Sequence, residues 1–173
     1  MQNMINALIL VRPFHLLYQI PQLIIPPYIL NSLSAVYIDC FKLSIEQLSF
    51  TPPSTIYLTS LDPNFNTIVA TVAVSYNLTN LPHKYHLPNS IFIYNVCTHS
   101  SYRGKGYMKR LLISIFNSIH QNYNFEPLNF FLEVLPSNNA AKNLYFSLGF
   151  DIIDLTPQYE LMHLSYFNSY NVS

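Results

Sequence analysis

The 173 residues of this chain predict an α/β (α+β) fold, a sheet with helices against its faces. Three observations carry that expectation. Residues 91–97 and 128–134 are apolar on both faces, as strands in the middle of a sheet are. Each is followed by apolar residues at helical spacing. Residues 150–155 and 159–166 then read as two closing strands joined at Thr156-Pro157.

In chain order, residues 4–11 read as a first strand and residues 28–43 as a helix. Pro21, Pro26 and Pro27 interrupt what precedes that helix, and Pro52-Pro53 closes the region. Residues 54–61 and 67–76 read as strands around a turn at 62–66, and residues 77–89 as a polar loop. After residues 91–97 comes a short loop, then Met108, Leu111, Leu112, Ile115, Phe116 and Ile119 on one helical face. After residues 128–134, Ser137 or Asn138 can cap a second helix that turns Ala141, Leu144, Tyr145 and Leu148 inward. Gly149 reads as the C′ residue where it stops. No repeat, low-complexity tract or linker divides residues 1–173, which read as one domain.

Half of the residues are hydrophobic and only 9% are charged. Aromatic packing must carry much of the core, since Tyr occurs 14 times and Phe 12 times. A formal net charge of zero argues against nucleic acid as the main partner. A surface with few charges leaves self-association, for example a homodimer, open. The two cysteines, Cys40 and Cys97, make no disulfide framework, and Cys97 reads as a reduced, buried thiol. The apolar stretch at the start, with Asn3, Asn6 and Arg12 in it, lacks a basic n-region and a small-residue cleavage site, so no signal peptide is expected. No run approaches the ~18 consecutive apolar residues of a membrane span. The expectation is a soluble, cytoplasmic protein with no membrane partner.

The loop after residues 91–97 carries Gly104 and Gly106, two of only three glycines in the chain. A loop of this kind delivers backbone N–H groups to a helix N-terminus and makes a site for a phosphate or pyrophosphate. A Rossmann or P-loop nucleotide domain is poorly supported, because neither Gly-x-Gly-x-x-Gly nor Gly-Lys-Ser/Thr occurs. No metal is expected. His83 and His86 have helical metal spacing but lie in a proline-flanked loop without a cysteine partner, and His99 reads as a loop residue.

Two blocks meet a known pattern. The first is Val96-Cys97-Thr98 followed by Tyr102-Arg103-Gly104-Lys105-Gly106-Tyr107-Met108. The second is Leu132-Glu133-Val134, then Asn138, Ala141, Leu144-Tyr145 and Gly149-Phe150. Together they resemble the GNAT superfamily of acetyl-CoA-dependent N-acetyltransferases, most nearly its ribosomal-protein N-terminal acetyltransferase type. The family motif runs Arg or Gln, two residues, Gly, one residue, Gly or Ala; Arg103 and Gly106 match it, and Met108 departs from it.

The resemblance implies a mixed, mostly antiparallel sheet whose central parallel strand pair splays apart, with flanking helices. It implies acetyl-CoA as co-substrate and an amine as acceptor. Residues 89–173 would form the cofactor half and residues 1–88 the acceptor half. The implied cofactor contacts are Val96, Cys97, Thr98, Arg103, Gly104, Lys105, Gly106, Tyr107, Met108, Lys109, Asn138 and Lys142. Amides of residues 104–109 would hold the diphosphate, and the Thr98 N–H would face the thioester carbonyl. The cations fit this: Arg103, Lys105, Lys109, Arg110 and Lys142 are five of the eight Lys and Arg.

Glu133 stands in an otherwise apolar strand. A desolvated carboxylate there is a suitable base for the attacking amine; the plainer reading is a strand-end Glu that reaches water or pairs with a Lys. Tyr145 is the implied acid for the departing thiolate, or a core aromatic. Asn138 can serve as N-cap, cofactor contact or both. Cys97 is no nucleophile in this reading, since apolar burial raises a thiol pKa and the family transfers acetyl directly. The rival function is a CoA-binding module without catalysis. Peptide N-termini, polyamines, sugar amines and lysine side chains all remain open as acceptors.

Overall fold

Two strands that are apolar on both faces belong in the centre of a sheet, and that is where they lie. A computed structural model describes residues 7–8, 27–43, 54–60, 67–76, 85–123 and 126–167. Its elements are β1 (Ala7–Leu8), α1 (Pro27–Phe41), β2 (Ser54–Ser60), β3 (Ile68–Ser75), β4 (Ser90–Thr98), α2 (Tyr107–Asn122), β5 (Leu128–Val134), α3 (Asn139–Phe146), β6 (Asp151–Leu155) and β7 (Glu160–Tyr166). The sheet order is β1-β2-β3-β4-β5-β7-β6. β4 and β5 pair in parallel, because α2 carries the chain back across the sheet between them. The strand pairs on either side of them are antiparallel. The turn expected at 62–66 and His83 lie outside the described residues.

The helices take opposite faces. α2 buries Met108, Leu111, Leu112, Ile115, Phe116 and Ile119, the stripe read from the sequence. These pack with Val72 and Val74 of β3, Ile91 and Ile93 of β4, and Phe130 and Leu132 of β5. The Phe116 and Phe130 rings lie 4.4 Å apart at the centre of this layer. On the other face α1 buries Val36 and Tyr37, and the Tyr37 hydroxyl meets Thr71 Oγ1 of β3 at 3.2 Å. α3 is capped by Asn138, whose side-chain oxygen accepts the Ala141 N–H at 3.1 Å. It ends at Phe146, with Ser147 as C-cap. Gly149 is the C′ residue expected there: it takes φ +91°, its N–H returns to the Phe146 carbonyl at 3.0 Å, and the Phe150 N–H returns to the Tyr145 carbonyl at 3.1 Å.

One expectation is overturned here. Cys97 is not a reduced thiol: it forms a disulfide with Cys40, across a sequence separation of 57 residues. Packing α1 on the sheet brings the two Cα atoms to 6.1 Å, within disulfide range. The sequence gives no view of that approach, because it depends on where α1 docks. The bond joins the C-terminal end of α1 to the end of β4.

Candidate active site

The site begins with a polar residue inside an apolar strand. Asn95 adopts φ +49°, a left-handed conformation that Asn tolerates better than most residues. The β3–β4 register shifts there, from Ala73↔Tyr94 to Thr71↔Cys97, so two β4 residues oppose one β3 residue. Beyond this bulge β4 parts from β5. Their ladder ends at Ile93↔Leu132, although β4 runs on to Thr98 and β5 to Val134. β5 keeps its pairing with β7 as far as Val134↔Glu160. The result is a cleft of about 800 Å³ between the two strands.

The backbone of β4 faces this opening. The His99 N–H donates to the Val69 carbonyl of β3 at 2.9 Å. Amides alternate between the two edges of a strand, so the Thr98 N–H points the other way, to the unpaired edge. The Thr98 carbonyl is occupied by Arg103 Nε at 3.0 Å.

The loop then presents donors at one end of the cleft. Gly104 and Gly106 take φ +74° and +75°, which turns the chain tightly into α2. The first helical bond runs from the Arg110 N–H to the Gly106 carbonyl, leaving the Tyr107, Met108 and Lys109 amides without a helical acceptor. Gly106, as N-cap, has no side chain to occupy them. Arg110 Nη2 donates to the Lys105 carbonyl at 3.1 Å and braces the turn. Asp39 at the end of α1 anchors the loop from the other side, accepting the Ser100 N–H at 2.6 Å. That bond, before any other influence, holds the Asp39 carboxyl below its ordinary pKa. Asp39 also lies 3.5 Å from Arg103.

A model of the Acetyltransferase (GNAT) family matches residues 17–150, more than half of the chain. The chain belongs to the GNAT acetyltransferase family. Its fold is similar to that of the ribosomal-protein-S18-alanine N-acetyltransferase from Escherichia coli, at 16% identity and TM-score 0.58, with 83% of this chain and 92% of that chain covered. It is similar to NAA60 from Arabidopsis thaliana, solved with a bisubstrate analogue, at 16% identity and TM-score 0.56, covering 83% and 95%. PaiA N-acetyltransferase from Thermoplasma acidophilum, solved with coenzyme A, is similar at 16% identity and TM-score 0.51, covering 65% of this chain and 61% of that one. No curated protein matches in sequence. At such identities the likeness is one of fold, and the family match supplies the activity class, acetyl transfer, with acetyl-CoA as co-substrate.

Within this GNAT chain, the cleft gathers all of the residues predicted from sequence except Lys105 and Lys142. Lys105 extends away, with Nζ bonded to the Ser101 carbonyl at 3.1 Å and lying 5.2 Å from the centre of the Tyr102 ring. Lys142 is held by an ion pair outside the cleft lining. Its Nζ lies 3.2 Å from Glu160 Oε1, with the two side chains only 17% and 12% exposed. Its charge is matched inside the protein by that carboxylate. Removing one partner of such a pair leaves a buried unpaired charge. Lys142→Met is expected to cost about 3 kcal/mol in denaturant unfolding while leaving acetyl-CoA affinity unchanged.

Of the two settings read for Glu133, the structure gives the one that reaches water. Its side chain is exposed and lines the cleft wall. Partial desolvation still raises its carboxyl pKa above 4.5. Tyr145 on α3 is buried, lines the same cleft, and has its phenol pushed well up by desolvation. Lys109 Nζ reaches the Ser147 carbonyl at 3.3 Å across the gap between α2 and α3. The motif did not point to Cys40, Phe41 and Asn95, which also line the cleft. Asn95 carried a usable signal: a polar residue suited to left-handed backbone in the middle of an apolar strand.

Proposed function

We propose that this acetyltransferase moves the acetyl group of acetyl-CoA directly to an amine bound with it in the β4–β5 cleft. The observation that carries the reading is the early end of the β4–β5 ladder, which leaves an unpaired strand edge with Glu133 and Tyr145 on its walls. An extended amide-bearing arm can pair with such an edge as an added strand would.

The donor set suits the cofactor. The Tyr107, Met108 and Lys109 amides, at the positive end of the α2 dipole, are matched to a diphosphate. Arg103 and Lys109 add positive charge on the cleft wall. Acetyl-CoA, when bound, supplies an acyl group activated as a thioester. In our reading the Thr98 N–H donates to the carbonyl oxygen where negative charge develops, an interaction on the order of 3 kcal/mol in the transition state. Glu133 takes the proton from the attacking amine, directly or through a water. Tyr145 gives its proton to the sulfur as the C–S bond breaks and regains one from solvent.

Gly106 offers a test of the loop. A residue with a Cβ at left-handed φ costs about 1–2 kcal/mol, and that Cβ would lie 3.3 Å from Arg110 Nη1. Gly106→Ala is expected to weaken acetyl-CoA binding about tenfold in calorimetry. Unchanged affinity would remove the loop from the anion site.

The acceptor class is tested by following release of free CoA thiol with peptide N-termini, polyamines, amino sugars and lysine peptides. Turnover with one class is expected. Binding of acetyl-CoA with no turnover on any of them would replace the enzyme reading with that of a CoA-binding module.

A further inference from the structure

The disulfide lies where the reaction's leaving group emerges. Cys40 and Cys97 both line the cleft, and Cys97 immediately precedes Thr98, the residue read as holding the thioester carbonyl. Cys97 is 3% exposed, whereas Cys40 is only partly buried and lines the cleft, so Cys40 is the more open of the two to an incoming group. Arg103 Nη2 stands 3.9 Å from Cys40 Sγ and can draw a thiolate to it. Each turnover releases a free thiol beside this bond.

We propose that the Cys40–Cys97 disulfide is a site of covalent modification by CoA itself. The product thiol, as thiolate, attacks Cys40 Sγ. A CoA–Cys40 disulfide forms, the Cys40–Cys97 bond breaks, and the Cys97 thiolate takes up the proton the CoA thiol has lost. No outside oxidant is needed, because the protein disulfide is the electrophile. The freed Cys97 thiol can attack Cys40 again and expel CoA, so the adduct is reversible. While it lasts, it fills the acetyl-CoA site and halts catalysis, making the enzyme sensitive to the ratio of CoA to acetyl-CoA. Disulfides in a reducing compartment are commonly transient and redox-linked, which is the behaviour this exchange requires.

This inference rests on the reading of the cleft as the CoA site, and the test separates the two. In the wild-type disulfide form, CoA is expected to expose one protein thiol per bound CoA, counted by alkylation and intact mass after an acid quench. Acetyl-CoA, which lacks the thiol, is expected to expose none. In Cys97→Ser the resolving thiol is gone, so the disulfide dimer of CoA should leave one CoA per chain, mapped to Cys40. Labelling should be about tenfold faster than with glutathione disulfide at equal concentration, because cofactor binding makes the exchange intramolecular. Excess acetyl-CoA should suppress it, and Cys40→Ser should stay unlabelled. Acetyl-CoA binding in calorimetry with no CoA adduct on Cys97→Ser, or with glutathione reacting as fast, overturns the inference alone. No acetyl-CoA binding by the wild type overturns both the inference and the acetyltransferase reading of the cleft.

Discussion

Glu133→Gln is expected to lower kcat by about 10²–10⁴-fold, the range for loss of a positioned general base. Glutamine keeps the shape of the side chain and its place on the cleft wall, so acetyl-CoA affinity should not change. The pH profile makes the assignment sharper. A base acts in its ionised form, so the rate rises as Glu133 loses its proton and levels off above its pKa. Desolvation raises that pKa from 4.5, which moves the acidic limb of the profile to higher pH than an ordinary carboxylate gives. In Glu133→Gln that limb should vanish. Stopped assays of thiol release across pH, with one amine at saturation, check both features. Undiminished turnover with the limb intact would assign the proton transfer to another group.

Tyr145→Phe is the second large effect, about a 10²-fold loss in kcat with little change in KM for acetyl-CoA. Only the hydroxyl is removed, and the ring keeps its packing against Phe150, 5.8 Å away between centroids. Burial raises the phenol pKa, so Tyr145 stays protonated through the alkaline range and is ready to donate. The loss should therefore persist at high pH rather than disappear as the wild-type phenol ionises. A variant that turns over at the wild-type rate would leave Tyr145 as a core aromatic, and the leaving sulfur would take its proton from water.

Much of the half that carries the site was legible in the sequence, for reasons that are local. β5 runs from Leu128 to Val134 because Pro127 and Pro136 bracket an apolar segment. Asn138 caps α3 through a bond to a residue three positions away. The glycine loop is also local, since Gly104, Gly106 and the free first turn of α2 all lie within six residues. What could not be read depends on distant parts of the chain meeting. The ion pair of Lys142 was not legible, because charge alone does not say that β7 brings Glu160 beside it. Burial and solvent access both stayed open for Glu133, because strand alternation gives a side chain's face but not what covers it. Cys97 looked reduced because its partner arrives on α1, docked from another part of the sequence. All three are matters of tertiary juxtaposition, and none disturbs the local pattern that builds the loop.

The central claim is that the parted strands take the cofactor arm while the first turn of α2 grips its diphosphate. A crystal structure with acetyl-CoA bound measures this most directly. The account predicts the diphosphate on the amides of residues 104–109 and the thioester carbonyl at the Thr98 N–H, with β4 and β5 still apart beyond Ile93 and Leu132. Acetyl-CoA bound elsewhere, or those two strands paired through to Thr98 and Val134, would contradict it.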